Sequence, residues 1–188
     1  MGQVLVQAPA SEPVSLAEAK AQLRVVNADD DQLIASLVTA ARRVVEARTG
    51  LSLIAQDWLC FRDQWPGDGA IELPVAPLRA VEEIAVFGED DAKAVIDPAH
   101  YFADAASRPP RVLLRGSREW PRPGRAANGI AIRAEAGFGT SPQDVPQPLR
   151  QAILLLVAHF YAQRGEEAGS GVPLTLNALL EPYRMVRL

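Results

Sequence analysis

The sequence predicts an α+β fold, a small helical core carrying an inserted and mostly antiparallel β module. Three observations predict it. Residues 29–50, DDDQLIASLVTAARRVVEARTG, place apolar or small side chains at Leu33, Ile34, Leu37, Val38, Ala41, Val44 and Val45, the rhythm of an amphipathic helix. From about 51 to 139 that period gives way to short alternating runs broken by turn residues. Helical periodicity then returns behind Pro148. Helices are expected near 15–25, 30–49, 148–164 and 175–181. The organisation read from this is an arm at 1–14, a helical core from 15–50 and 140–181, a β module at 51–139, and a tail at 182–188.

The arm has room for a short strand at Gln3–Gln7. Ser15-Leu-Ala-Glu18 is a capping box, which starts a helix by satisfying orphan N–H groups at both ends of the motif. Leu16, Ala19, Leu23 and Val26 give that helix its apolar side, and the short Asn27-Ala28 joint forces it to pack against the next one. One of Asp29–Asp31 is expected to cap the second helix, whose stripe leaves Gln32, Ser36, Arg42, Arg43 and Glu46 outside. Gly50 suits the left-handed position that ends it.

Leu53–Arg62 reads as a strand and Trp65-Pro-Gly-Asp-Gly69 as a turn. Ile71, Leu73 and Val75 alternate as in a half-buried edge strand. Val81–Phe87 is a strand, Gly88–Asp91 a hairpin turn, and Ala94–Ile96 the return. Tyr101-Phe102 and Val112–Leu114 are short strands. Ile130, Ile132, Ala134, Ala136 and Phe138 give the cleanest alternation. The helix from Leu149 is apolar on more than one side, so it is expected to be covered twice, by the core and by the β module or a neighbouring subunit. Gly165 is its expected stop and 165–171 a flexible link. Thr175–Glu181 is a short helix halted by Pro182, and the basic, half-apolar tail is either tucked into its own core or held by a partner.

The composition is that of a globular chain long enough to bury a core. No apolar run spans a membrane, and the opening MGQVLVQAPASEP lacks the basic start and apolar centre of a secretory signal, so no membrane partner is expected. A single cysteine, Cys60, excludes an internal disulfide framework. Net charge is −4, unlike a general nucleic-acid binder. Its distribution says more: residues 108–125 carry +5, leaving −9 on the rest. That basic stretch holds Arg108, Arg111, Arg115, Arg118, Arg122 and Arg125. An acidic one holds Glu82, Glu83, Glu89, Asp90, Asp91 and Asp97 against Lys93.

No catalytic constellation is visible. Cys60 sits in an apolar, strand-like context, and His100 and His159 are far from it in sequence, which suits a buried small residue better than a nucleophile with a base. Two histidines and one cysteine do not make a zinc site, and three consecutive aspartates cannot converge on one ion. No metal or cofactor is expected. The arginine stretch has three readings: a solvated loop, ion pairing with the acidic segment within or between chains, or phosphate contact. Arginine without lysine suits bidentate pairing with carboxylate or phosphate, and opposed patches on one chain suit a head-to-tail contact.

The order of motifs is SLAEAKAQLRV, then a helix ending EARTG, then LPVAPLRAVEEIAVF. Trp120-Pro121, a strand ending AGFG, VPQPLRQAILLLVAHFYAQRG and LLEPYRMVRL follow. This resembles the head–tail connector, or adaptor, proteins of long-tailed phages and of phage-like gene transfer agents, over nearly the whole chain. The resemblance implies a helical core with a β insertion, and a ring of about twelve copies beneath the portal. It implies that the ring joins the DNA-filled head to the stopper and tail and lines the channel through which duplex DNA passes without sequence-specific binding. It implies assembly in the bacterial cytoplasm, residence in the neck of the particle, and neither catalysis nor cofactor. The family's C-terminal segment docks on the portal, which implicates Leu179, Leu180, Pro182, Tyr183, Arg184 and Val186. Other readings are a stopper or tail-completion protein of the same neck, a DNA-binding module using the 108–125 arginines, and a small hydrolase using Cys60.

Overall fold

The computed structural model describes residues 2–116, 119–163 and 174–185. These divide into two compact units, one from residues 2–9 and 55–138, the other from 10–54 and 139–185.

The second unit is helical, with α1 (Leu16–Leu23), α2 (Asp31–Thr49), α3 (Gln147–Ala162) and α4 (Leu174–Leu180). The Ser15/Glu18 capping box is present as the sequence predicts. Hydrogen bonds from the Ser15 N–H, and then from its hydroxyl, help hold the Glu18 carboxyl below its usual range, with Arg150 adding its charge. The α2 start differs from expectation. Asp30 occupies the N-cap but makes no capping bond from its side chain. The three acids are committed elsewhere: Asp29 accepts from Asn27, Asp30 from the Tyr161 hydroxyl, and Asp31 from Lys20. They fasten the α1–α2 connection and α3 rather than the helix end alone. Gly50 closes α2 at φ 75°, as its sequence position demands.

The buried side of α2 is Ile34, Val38, Ala41, Arg42, Val45 and Thr49. Arg42, assigned to the solvent side by periodicity, is 6% exposed. It turns inward because Glu12 and Glu46 receive its guanidinium. From α3, Leu149, Ala152, Ile153, Leu156 and Val157 complete the core, with Leu176 and Leu180 of α4. Leu154, Leu155, Ala158 and Phe160 are half-buried. The expected stop at Gly165 and the link at 165–171 lie outside the described residues. The α-helical hydrogen bonding of α4 ends at Leu180, and Pro182 sits within a following 3-10 turn, Glu181–Tyr183.

The other unit is antiparallel throughout its named strands. These are β1 (Gly2–Gln7), β2 (Gln56–Arg62), β3 (Ile71–Glu72), β4 (Leu78–Phe87), β5 (Lys93–Val95), β6 (Tyr101–Asp104), β7 (Arg111–Leu114) and β8 (Ile130–Ala136). One sheet runs β1-β2-β8-β4-β5, the other β3-β7-β6. The alternation read for β8 is realised: Ile130, Ile132, Ala134 and Ala136 enter a core with Cys60, Ile71, Leu73, Ile84, Val86, Tyr101 and Val112. The short strand read at Gln3–Gln7 is present as β1, which pairs along β2 from Gly2↔Phe61 to Gln7↔Asp57.

Several strand boundaries move by one to three residues, and two of these shifts have a visible cause. β2 starts at Gln56, since Leu53 and Ile54 are buried in the helical unit instead. The run Ile71–Val75 keeps only Ile71–Glu72 as strand. Pro74 has no N–H to continue the ladder, and Leu73 donates its own to the Pro110 carbonyl. Leu73 and Val75 are still buried.

Candidate interaction surfaces

Two surfaces carry the residues that the sequence singles out. In the β unit the end of the arginine stretch lies against the acidic hairpin. Arg125 pairs with Asp91 at 2.5 Å, and its guanidinium carbon stands 4.0 Å from the centre of the Phe87 ring. Beside it the Gly124 N–H donates to the Phe87 carbonyl at 2.9 Å. A Cβ at Gly124 would come within 2.3 Å of the Glu89 backbone nitrogen, so only glycine allows this approach.

Several of the remaining charges find local partners. Arg111 meets Asp104 at 3.0 Å across β6 and β7. Arg115 donates from Nε to the Tyr101 carbonyl at 2.8 Å and lies over Phe102. Glu83 pairs with Lys93, and Glu82 with Arg133, which also binds Asp57. Arg108, Arg122, Glu89 and Asp90 are exposed. Arg118 lies outside the described residues. The structure thus joins Arg125 to the acidic segment, directs Arg111 and Arg115 to β6, and gives Glu82 and Glu83 partners from other strands.

Two tryptophans that the sequence reading did not connect set the course of this loop. Trp65 and Trp120 stack with ring centroids 4.4 Å apart and planes 14° apart. Trp65 donates to the Pro121 carbonyl at 2.6 Å and Trp120 to the Gly69 carbonyl at 3.0 Å. The WPGDG turn therefore clamps residues 120–121. The sequence signal was an unusual one: two Trp-Pro dipeptides, Trp65-Pro66 and Trp120-Pro121.

The helical unit carries the C-terminal surface. Leu180 is 2% exposed and packs inside its own unit, while Leu179 and Tyr183 are half-buried and Pro182 and Arg184 exposed. Val186 lies outside the described residues. The segment is held at the end of α2: the Met185 N–H donates to the Thr49 carbonyl at 2.9 Å, Arg48 donates to Asn177, and the Met185 side chain covers Gly50. One orphan carbonyl of the α2 terminus is thereby satisfied.

Cys60 is fully buried, and burial pushes its thiol up to about 11, opposed in part by the charge of Arg62. It stays a protonated thiol at neutral pH, the wrong state for a nucleophile. Among the described residues no group of three or more His, Cys, Asp or Glu is placed to hold a metal ion, and no helix is long and apolar enough to cross a membrane.

Residues 13–94 match the family model described as Phage gp6-like head-tail connector protein. The whole chain superposes on a chain of the "Virion of native gene transfer agent (GTA) particle", with TM-score 0.86, 26% identity, and coverage of 100% of this chain and 97% of that one. It also matches chains of the "Neck of empty GTA particle computed with C6 symmetry" at TM-score 0.85 and 27% identity. For the "Neck of native GTA particle computed with C12 symmetry" the values are 0.84 and 26%; coverage is 100% and 97% in both. A comparison with curated protein sequences gives no match. The connector family model thus matches the first half of the resemblance read from the sequence, and the structural likeness to chains of gene transfer agent particles extends over the full chain.

Proposed function

We propose that this chain is a structural subunit of the neck of a phage-like particle, an adaptor that forms a ring between the portal and the tail-side neck protein and lines the DNA exit channel. The observation that carries the reading is the whole-chain superposition on the neck of a gene transfer agent, at TM-score 0.85 with nothing substantial left over on either chain. Symmetric necks of this kind support an oligomeric ring in the particle. The C-terminal surface supports a docking role, with Pro182, Tyr183 and Arg184 as the contact residues. Leu180, being buried, positions them. Net charge of −4, with Arg111, Arg115 and Arg125 already engaged in their own unit, suits a channel through which phosphates slide rather than bind.

Deleting the gene in the producing strain tests this. Filled heads without attached tails are expected, with tails restored by the wild-type gene. Removal of residues 182–188 should leave a folded protein that no longer remains on purified heads. Normal tailed particles from the deletion strain would overturn the reading.

A further inference from the structure

β1 is an edge strand of the five-stranded sheet, and all six of its residues are exposed. It carries no charge, no proline, and three apolar side chains: Val4, Leu5 and Val6 are 55%, 39% and 52% exposed. An uncharged apolar edge is a liability that natural sheets blunt or cover. Here the ladder shifts register between Leu5 and Gln7, so Val6 has no partner on β2. A bulge of this kind bends an edge and interrupts further strand addition. The backbone is thus shaped against pairing while the side chains stay available.

β5 forms the opposite edge of the same sheet, and Lys93, Ala94 and Val95 are all exposed, Val95 at 56%. Beside it lies an open cleft of about 420 Å³, lined by Ala94, Val95, Ile96, Leu114 and Pro121, with charged or polar groups at Asp97, His100 and Glu119. The Lys93 ammonium is already paired with Glu83 at 2.6 Å, so an uncharged strand seated here would strip water from no unpartnered lysine.

We infer that β1 of one copy docks by its side chains, Val4 and Val6 foremost, into the β5-side cleft of the next copy in the ring. The inference rests on the ring proposed above and names its subunit contact. A closed ring needs two different surfaces on each chain, and the two edges of one sheet are such a pair. A hydrogen-bonded sheet continuing from copy to copy is a worse solution. Strand twist of roughly 20–25° per step would rotate successive copies by on the order of 100° or more, whereas a twelve-fold ring turns by about 30°. Side-chain docking carries no such constraint, and the bulge at Val6 fits it.

The test uses particles from strains whose only copy of the gene is the variant. Val4→Cys with Val95→Cys, treated with a short bismaleimide, should give a ladder of dimers and larger multimers of this chain. Either cysteine alone should give none, since Cys60 is fully buried. Val4→Lys with Val6→Lys should melt like wild type, because both side chains are exposed, yet be at least tenfold depleted from particles. Several outcomes overturn the docking while leaving the neck reading intact. They are no ladder from the double variant in particles that contain the chain, dimers from Val4→Cys alone, adducts to another protein, or normal incorporation of the lysine variant. Absence of the wild-type chain from particles removes the neck reading itself, and this inference with it.

Discussion

Replacing Arg42 by methionine probes what locks the helical unit. The side chain is 7% exposed and donates to Glu12 and to Glu46, each at 2.7 Å. Burial disfavours its charge, but the hydrogen bond to Glu12 and the charges of Glu46 and Glu12 outweigh that and raise its pKa. Glu12 also accepts from Thr39, and Glu46 accepts the Leu53 N–H, so one guanidinium joins the residues before α1, the middle of α2 and the chain beyond it. Methionine retains most of the packed stem and removes the charge. Breaking one side of a buried pair costs roughly 3–5 kcal/mol. The partners here are 29% and 16% exposed and regain some hydration, so about 2–3 kcal/mol is expected. For a chain of this size that is a fall of about 4–12 °C in melting temperature. Circular dichroism melts of wild type, Arg42→Met, Glu12→Gln and the double variant give the loss and the coupling, and 1 M salt should leave most of it in place because the pair is shielded. A melt within about 1 °C of wild type, or no coupling to Glu12, would refute the claim that this network fastens the unit.

Other expectations are simpler to measure. Ser15→Ala removes the acceptor for the Glu18 N–H and should cost about 1 kcal/mol by chemical denaturation. Native Cys60 should not react with a thiol reagent at pH 7.5 and should react once the chain is unfolded in guanidinium. The Asp104 carboxyl is held down to about 2, first by the Ser107 hydroxyl and then by Arg111. A depressed carboxylate contributes stability above its unfolded value, near 4, and loses it as pH falls through the folded one. Its midpoint by NMR should lie near 2, and Ser107→Ala should move it upward.

Much of this architecture was legible because the signals are local. The capping box at Ser15, the glycine at 50, the alternation in β8 and the return of helical period after Pro148 each declare themselves within a few residues. What escaped the sequence is non-local. Arg42 lies off the apolar stripe by periodicity and is buried only because Glu12, thirty positions away, meets it. The three aspartates suit a cap, yet they serve Asn27, Tyr161 and Lys20. β1 was legible as a short run of Val and Leu, but its place at the sheet edge depends on β2. For the surfaces, the charge asymmetry of the two stretches could be read directly. The pairing of Arg125 with Asp91, and the burial of Leu180, could not.

The central claim, that this chain is a ring-forming structural subunit of the neck, is tested most directly by electron cryomicroscopy of particles from the producing strain. The account predicts density between head and tail into which the two-unit chain fits once per subunit, repeated symmetrically around the DNA channel, with the C-terminal segment facing the portal. A neck whose density is filled by other proteins, with this chain missing from the purified particle, would contradict it.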